Sequence, residues 1–346
     1  MRIKIVWALV ILLSGLTLFS YAVAEEKATP PKDDSLCNAT CKTMQSIFLE
    51  KNVVRINLPG VSQGTGTIIS HESVAYILTS NHEIERVASN RVEITFESGE
   101  KSEVEVLGRD PAADLAILSA PALPRGVTPA KLGYGLAIAQ QVYALGYPFG
   151  ERRITFGYIS AIETQIWLFA WTQTPLDPGN SGGPLFNERM EVVGVNTAVI
   201  SREFSTSGAI SLVIPVDYVK RLLPRLLRER IVRHGVAGII FTDSARIPLS
   251  FFKKYGLKYS PGSREVVVMD IQAGSSTEEA NIRKGDVILK WNDTPVMGAR
   301  KLMEKIFFDH SPGDEVTLTV RRGEQTFKRS VRLMEYAPPK QEVEPQ

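Results

Sequence analysis

Cysteine is scarce: the 346-residue sequence holds two, Cys37 and Cys41, with no further cysteine or histidine pair to complete a tetrahedral metal site. That excludes a disulfide-framework fold and a structural zinc site, and leaves a local Cys37–Cys41 bridge as the reading for an oxidising compartment. Charge of one sign is also missing, with 40 Lys plus Arg against 38 Asp plus Glu, so nothing marks a nucleic-acid surface. The 44% hydrophobic and 23% charged composition shows neither wholesale disorder nor several membrane spans. There is no internal repeat and no low-complexity block. Over residues 53–213 strands do not alternate with long helical patterns, which argues against a doubly wound parallel sheet. Asn38-Ala39-Thr40 fits a glycosylation sequon, a three-residue match that arises often by chance.

What is present begins at the N-terminus. Arg2 and Lys4 precede an apolar run over residues 5–19, and Ala22-Val23-Ala24 offers small residues for cleavage before Glu25, the arrangement of a secretory signal peptide. The run is shorter than the ~20 apolar residues that span a bilayer. Residues 1–24 therefore read as a signal peptide, with retention as an anchor the alternative; either way the folded part is exported. Cleavage would remove two basic residues and leave a mature chain of balanced charge.

A chain of 346 residues predicts two domains. Short β-branched runs such as 53–58 and 92–96, broken by Gly, Pro, Asn and Asp, predict barrels or a sandwich. The first clear helix comes after them: Val219, Leu222, Leu223, Leu226 and Leu227 recur at helical spacing, with Asp217 placed to cap it and Pro224 to bend it. Strands resume after Gly235, with a helix over 299–308 and strands near 317–320 and 328–333. The resulting division is an N-terminal segment 25–51, a β-rich domain 52–230, a second domain 235–334 and a polar tail 335–346.

Three motifs carry the chemistry: Thr79-Ser80-Asn81-His82, Asp110-Pro111-Ala112-Ala113-Asp114-Leu115-Ala116, and Asp177-Pro178-Gly179-Asn180-Ser181-Gly182-Gly183-Pro184-Leu185. A serine hydroxyl is a poor nucleophile at neutral pH and needs an adjacent base, for which histidine has the matching pKa. His82 is read as that base for Ser181, and Asp114 as the group that accepts its other ring N–H and holds the useful tautomer. The glycines beside Ser181 let a tetrahedral oxyanion meet the backbone N–H groups of Gly179 and Ser181. His71, His234 and His310 lack such context and read as structural. Gly179-Asn180-Ser181-Gly182-Gly183 also fits the G-x-S-x-G elbow of a secreted esterase, but that fold places acid and histidine after the serine. A non-proteolytic adaptor or holdase is the other alternative.

In order and wording these motifs resemble the HtrA/Deg branch of the chymotrypsin-like serine proteases. The resemblance covers residues 50–334 and includes Gly64-Thr65-Gly66-Thr67, Gly146-Tyr147-Pro148-Phe149-Gly150 and Gly208-Ala209-Ile210-Ser211-Leu212-Val213-Ile214-Pro215. It implies a mainly β chain: a chymotrypsin-like double β-barrel with the triad in its cleft, followed by a small α+β PDZ domain. It further implies a periplasmic endopeptidase of misfolded or unfolded proteins, assembled as homotrimers and needing no metal or organic cofactor. By the same analogy Pro175, six residues before the serine, floors the primary pocket, with Leu212 and Val213 opposite. No carboxylate sits there, which predicts cleavage after small or medium aliphatic residues. The stretch 162–174 is compact and apolar where relatives place a longer sensor loop, and reads as a buried strand; the 58–64 segment is short.

The second domain shows a related resemblance. Val236-Ala237-Gly238-Ile239 is similar to the loop by which PDZ domains receive the carboxylate of a hydrophobic C-terminal peptide, which adds a strand. Ala273-Gly274-Ser275-Ser276, Gly285-Asp286-Val287-Ile288-Leu289 and Ser311-Pro312-Gly313-Asp314 resemble later PDZ landmarks.

Overall fold

Residues 39–58, 63–85, 87, 89–162, 169–200, 210–257 and 263–336 are described by a computed structural model. The signal segment, Cys37, the sequon's Asn38 and residues 163–168 of the apolar stretch lie outside the described residues. A ten-residue helix, α1 (Ala39–Phe48), opens the described chain. The sequence pattern gave no helix here. It is held because Met44 and Ile47 pack with Tyr143, Leu145 and Phe186 of the second barrel, burial that offsets the weak helix-forming tendency of a segment this short. Cys41 on this helix is disulfide-bonded.

Six strands then form a barrel: β1 (Val53–Asn57), β2 (Gly64–His71), β3 (Val74–Thr79), β4 (Arg91–Thr95), β5 (Lys101–Asp110) and β6 (Leu115–Ser119), closed in the order β1-β2-β3-β6-β5-β4. One turn of helix, α2 (Asn81–Ile84), follows β3. Period-2 alternation explains the packing. On β6, Ala116 and Leu118 fill the barrel with Val54, Ile56, Ile68 and Ile77. Its other face, Leu115 and Ile117, joins a separate cluster outside the barrel. A second barrel is built from β7 (Gln141–Gly146), β8 (Arg153–Ala161), β9 (Ala170–Thr172), β10 (Pro184–Phe186), β11 (Val192–Ile200) and β12 (Ile210–Pro215), closed as β10-β11-β12-β9-β8-β7.

The helix α3 (Val216–Arg228) buries Val219, Leu222, Leu223 and Leu226, as the spacing predicts. Its start differs from expectation. Pro215 occupies the N-cap position, and Asp217 lies inside the first turn, where its carboxylate accepts the N–H of Gly135 at 3.1 Å. Arg225 and Arg228 in the last turn complement the helix dipole. The cluster under α3 unites Leu115 and Ile117 of the first barrel, Val195 and Ile214 of the second, and Phe307 and Phe308 from the following domain.

That domain contains β13 (Gly235–Val236), β14 (Ile239–Asp243), α4 (Leu249–Tyr255), β15 (Val266–Ile271), α5 (Ser276–Glu279), β16 (Val287–Trp291), β17 (Thr294–Pro295), α6 (Ala299–Asp309), β18 (Glu315–Arg322), β19 (Gln325–Arg332) and β20 (Met334–Glu335). Its main sheet runs β14-β15-β16-β18-β19, so β14 is an edge strand, and β13 pairs with β20. Trp291, Leu302, Ile306 and Leu318 lie in its core. Among the described residues no helix is long and apolar enough to cross a membrane.

Candidate active site

Each barrel delivers part of the site. His82 lies on α2, directly after β3. Asp114 closes the turn between β5 and β6, with backbone φ of +55°. Ser181 sits between β9 and β10. Asp110 Oδ1 accepts the N–H groups of Ala112 and Ala113 at 3.1 and 2.9 Å and so shapes that turn. Asn81 N–H donates to the Asp114 carbonyl at 3.2 Å.

The Asp114 carboxylate is the hub. His82 Nδ1 stands 2.8 Å from Oδ2 and 3.0 Å from Oδ1, and the His82 backbone N–H donates to Oδ1 at 2.9 Å. The hydroxyl of Thr197 donates to Oδ2. The carbonyl of the same threonine accepts the Ser181 hydroxyl at 3.0 Å. Thr197 thus ties the serine to the acid. Sequence reasoning missed it because it comes from β11, 83 positions from Asp114. In this arrangement the Ser181 hydroxyl donates to a carbonyl, and among the described residues it makes no hydrogen bond to His82.

Glu83 was missed as well. Its side chain is 7% exposed and places Oε1 3.4 Å from His82 Nε2, the nitrogen opposite the Asp114 contact. Burial alone would lower the His82 pKa. Hydrogen bonds and charge from Asp114 and Glu83 outweigh that and push it up to about 10. An imidazolium cannot take the serine proton, so the ring must first lose its own. For stability the sign is that of a raised base: the favourable contribution is complete below the ordinary pKa of 6.5 and is lost as pH rises through about 10. Replacing Glu83 by Gln removes one of the two carboxylates. We expect the acid limb of kcat/KM to move downward by about one pH unit, and an unmoved limb in a pH–rate profile would contradict the assignment of Glu83 to the Nε2 face.

The serine loop is packed against backbone. A Cβ at Gly182 (φ +79°) would lie 2.3 Å from the Thr65 carbonyl oxygen, and one at Gly179 (φ +102°) 2.5 Å from that of Tyr147. Among the described residues neither the Gly179 nor the Ser181 backbone N–H donates within the protein. Ser181 O accepts from Thr65 N–H at 3.0 Å, which joins the loop to the first barrel.

The two residues expected to share the wall opposite Pro175 sit on successive positions of β12. Pro175 is exposed, with its carbonyl accepting the Thr155 hydroxyl at 2.7 Å. Successive residues of a strand face opposite ways, so Leu212 and Val213 cannot both line one surface. Val213 is fully buried in the second barrel beside Val142 and Ala170. Among the described residues no group of three or more His, Cys, Asp and Glu comes together as a metal site.

In the second domain Ala237 is in the core and its carbonyl accepts the Thr277 hydroxyl. Gly238 (φ +67°) leaves no room for a side chain, since a Cβ would meet that of Ser275 at 2.7 Å. Val236 pairs with Met334 and Ile239 with Ile271. The loop therefore leads into the free edge of β14, and α6 begins beside that strand's end, where Ala299 N–H donates to Asp243 at 2.7 Å.

Comparison with known proteins finds a match in each of the two parts of the chain. The model for trypsin-like peptidase domains matches residues 64–195, and that for PDZ domains matches 238–333. The chain is 31% identical over 273 residues to a probable periplasmic serine endoprotease, DegP-like, of Chlamydia trachomatis, covering 77% of this chain and 52% of that one. It is 29% identical over 282 residues to the serine protease Do-like HtrB of Bacillus subtilis, covering 76% and 60%. It thus spans little more than half the length of these relatives. Among solved structures, the HtrA-type protease AlgW with a tripeptide superposes with a TM-score of 0.69 at 24% identity, covering 87% of this chain and 98% of that one. The serine endoprotease from Yersinia pestis gives 0.62 at 25% identity, covering 85% and 98%.

Proposed function

Because the chain belongs to the HtrA/Deg family of serine proteases, with a trypsin-like peptidase domain and one PDZ domain, we propose that it is an exported, periplasmic endopeptidase that hydrolyses unfolded or misfolded proteins. The observation that carries this reading is the linked set His82, Asp114, Thr197 and Ser181, in which one carboxylate holds the imidazole and one threonine joins acid to nucleophile. Ser181 Oγ attacks the scissile carbonyl while His82 Nε2 takes its proton. The tetrahedral oxyanion is received by the N–H groups of Gly179 and Ser181, and His82 returns the proton to the leaving amine. Asp114 accepts the His82 Nδ1 hydrogen bond and stabilises the imidazolium.

The PDZ domain, over residues 235–334, takes hydrophobic C-terminal peptides on the open edge of β14, with Val236, Ala237, Gly238 and Ile239 at the carboxylate. Three such chains make the working assembly, and Cys37 bridges to Cys41. Pro175 and Leu212 remain the proposed contacts for an aliphatic P1 side chain.

The test is proteolysis of denatured casein by the exported chain beside a Ser181→Ala control, with and without hydrophobic C-terminal peptides. Cleavage that vanishes in the control and rises with peptide supports both domain assignments. Inactivity of both proteins, with casein still bound, would replace the protease by a holdase.

A further inference from the structure

His234 lies between α3 and β13, and its side chain and that of Asp110 are each 0% exposed. Its Nε2 is 2.7 Å from Asp110 Oδ2, and its Nδ1 is 2.7 Å from the Phe307 carbonyl oxygen. The imidazole also stacks on the Phe307 ring, with centroids 3.5 Å apart and planes 7° from parallel. A carbonyl can only accept, so Nδ1 carries a hydrogen. The opposite nitrogen shares a proton with the carboxylate; without one, two lone pairs would face each other in a site closed to water. Buried polar groups left in that state are costly.

The three partners belong to different parts of the chain. Phe307 is on α6 of the PDZ domain, and His234 is in the connector. Asp110 ends β5 of the first barrel, and its other oxygen caps the turn that carries Asp114. That turn ends in Asp114, whose backbone is left-handed at φ +55°. Asp110 fixes the two residues before it by accepting the N–H groups of Ala112 and Ala113. The connector itself follows β5, with Arg109 N–H donating to the Arg230 carbonyl at 3.1 Å and Val232 N–H to the Arg109 carbonyl at 2.8 Å. Neighbouring charges are engaged elsewhere: Asp309 with Arg221 and Lys305, and Glu335 with Arg233.

We propose that His234 is a positioning residue for the triad, tying the PDZ helix α6 through Asp110 to the turn that places Asp114. The inference rests on the assignment of Asp114 to the triad. It gives α6, whose first turn is bonded to the end of β14, a direct route to the catalytic acid.

The test uses the intact chain with His234→Gln, which keeps a donor for Asp110 but gives up the stacking on Phe307 and the doubly anchored ring. We expect kcat to fall about tenfold with KM unchanged, within the range usual for coupling between sites. The same substitution in a Ser181→Ala chain should shift or broaden the downfield proton resonance of His82 Nδ1–H against Asp114. A folded variant with undiminished kcat and an unmoved resonance overturns the proposal. If His234→Gln does not fold, Asp110→Asn is read in the same way, since it keeps an acceptor for the turn and abolishes the shared proton. A wild-type chain that cleaves nothing, yet shows the resonance moving with His234→Gln, would sink the protease reading and leave the tie intact.

Discussion

Asp114→Asn is expected to lower kcat about 10⁴-fold while leaving KM nearly unchanged. The carboxylate accepts from His82 Nδ1, from the His82 backbone N–H and from the Thr197 hydroxyl. An asparagine offers one acceptor oxygen for these three donors, and its amide nitrogen can only donate. If that nitrogen faces His82, the ring must present Nδ1 as an acceptor. Its proton then resides on Nε2, where the serine's proton has to go. The imidazolium formed during attack also loses its counter-charge. Ser181→Ala removes the nucleophile and should cost more, about 10⁶-fold in kcat. The two substitutions together should cost little more than the serine change alone, because the residues act as one unit. Steady-state kinetics on an unfolded substrate decide this, and a loss of less than tenfold for Asp114→Asn would remove Asp114 from the mechanism.

Gly108→Ala is expected to destabilise the fold by about 4 kcal/mol or more, placing it among the exceptional point substitutions. A Cβ there would lie 1.9 Å from the Leu226 carbonyl oxygen, 2.8 Å from its carbon and 2.9 Å from the Glu229 carbonyl oxygen. All three are backbone atoms, so no side chain can rotate aside. Either α3 withdraws from β5, uncovering Leu222, Leu223 and Leu226, or the strand bends. Overpacking of ordinary cores costs about 1–3 kcal/mol because side chains share the strain; that relief is missing here. Gly99→Ala is the matched comparison. It has open space around it but a φ of +86°, so only conformational strain of about 1 kcal/mol applies. Urea titrations of the two variants should separate by several kcal/mol, and equal midpoints would contradict the close approach of helix to strand.

The sequence was most informative where the chemistry is local. The motifs around His82, Asp114 and Ser181 put each residue beside its own turn, and short β-branched runs broken by Gly, Pro, Asn and Asp marked the strands. Helix α1 escaped because its apolar positions acquire meaning only against Tyr143 and Phe186, about a hundred residues on. Asp217 looked like a cap, but Pro215 ends β12 and starts the helix, sending the carboxylate to Gly135. Leu212 and Val213 were placed on one wall where strand geometry separates them. His234 was read as an ordinary structural histidine; its partner Asp110 is 124 positions away, and no spacing rule spans such a gap.

The apolar cluster beneath α3 draws on both barrels and on Phe307 and Phe308 of the PDZ domain, with Phe308 against the Tyr218 ring at 5.0 Å and under the Arg221 guanidinium at 4.1 Å. Domain borders drawn on the sequence are therefore not borders of solvation. Trimming the chain at residue 234 would wet Tyr218 and the flank of α3 beside it, giving a two-barrel fragment with a sticky face. The PDZ domain serves as a cover for its neighbour, and a swap of the PDZ domain in this chain has to keep the two phenylalanines.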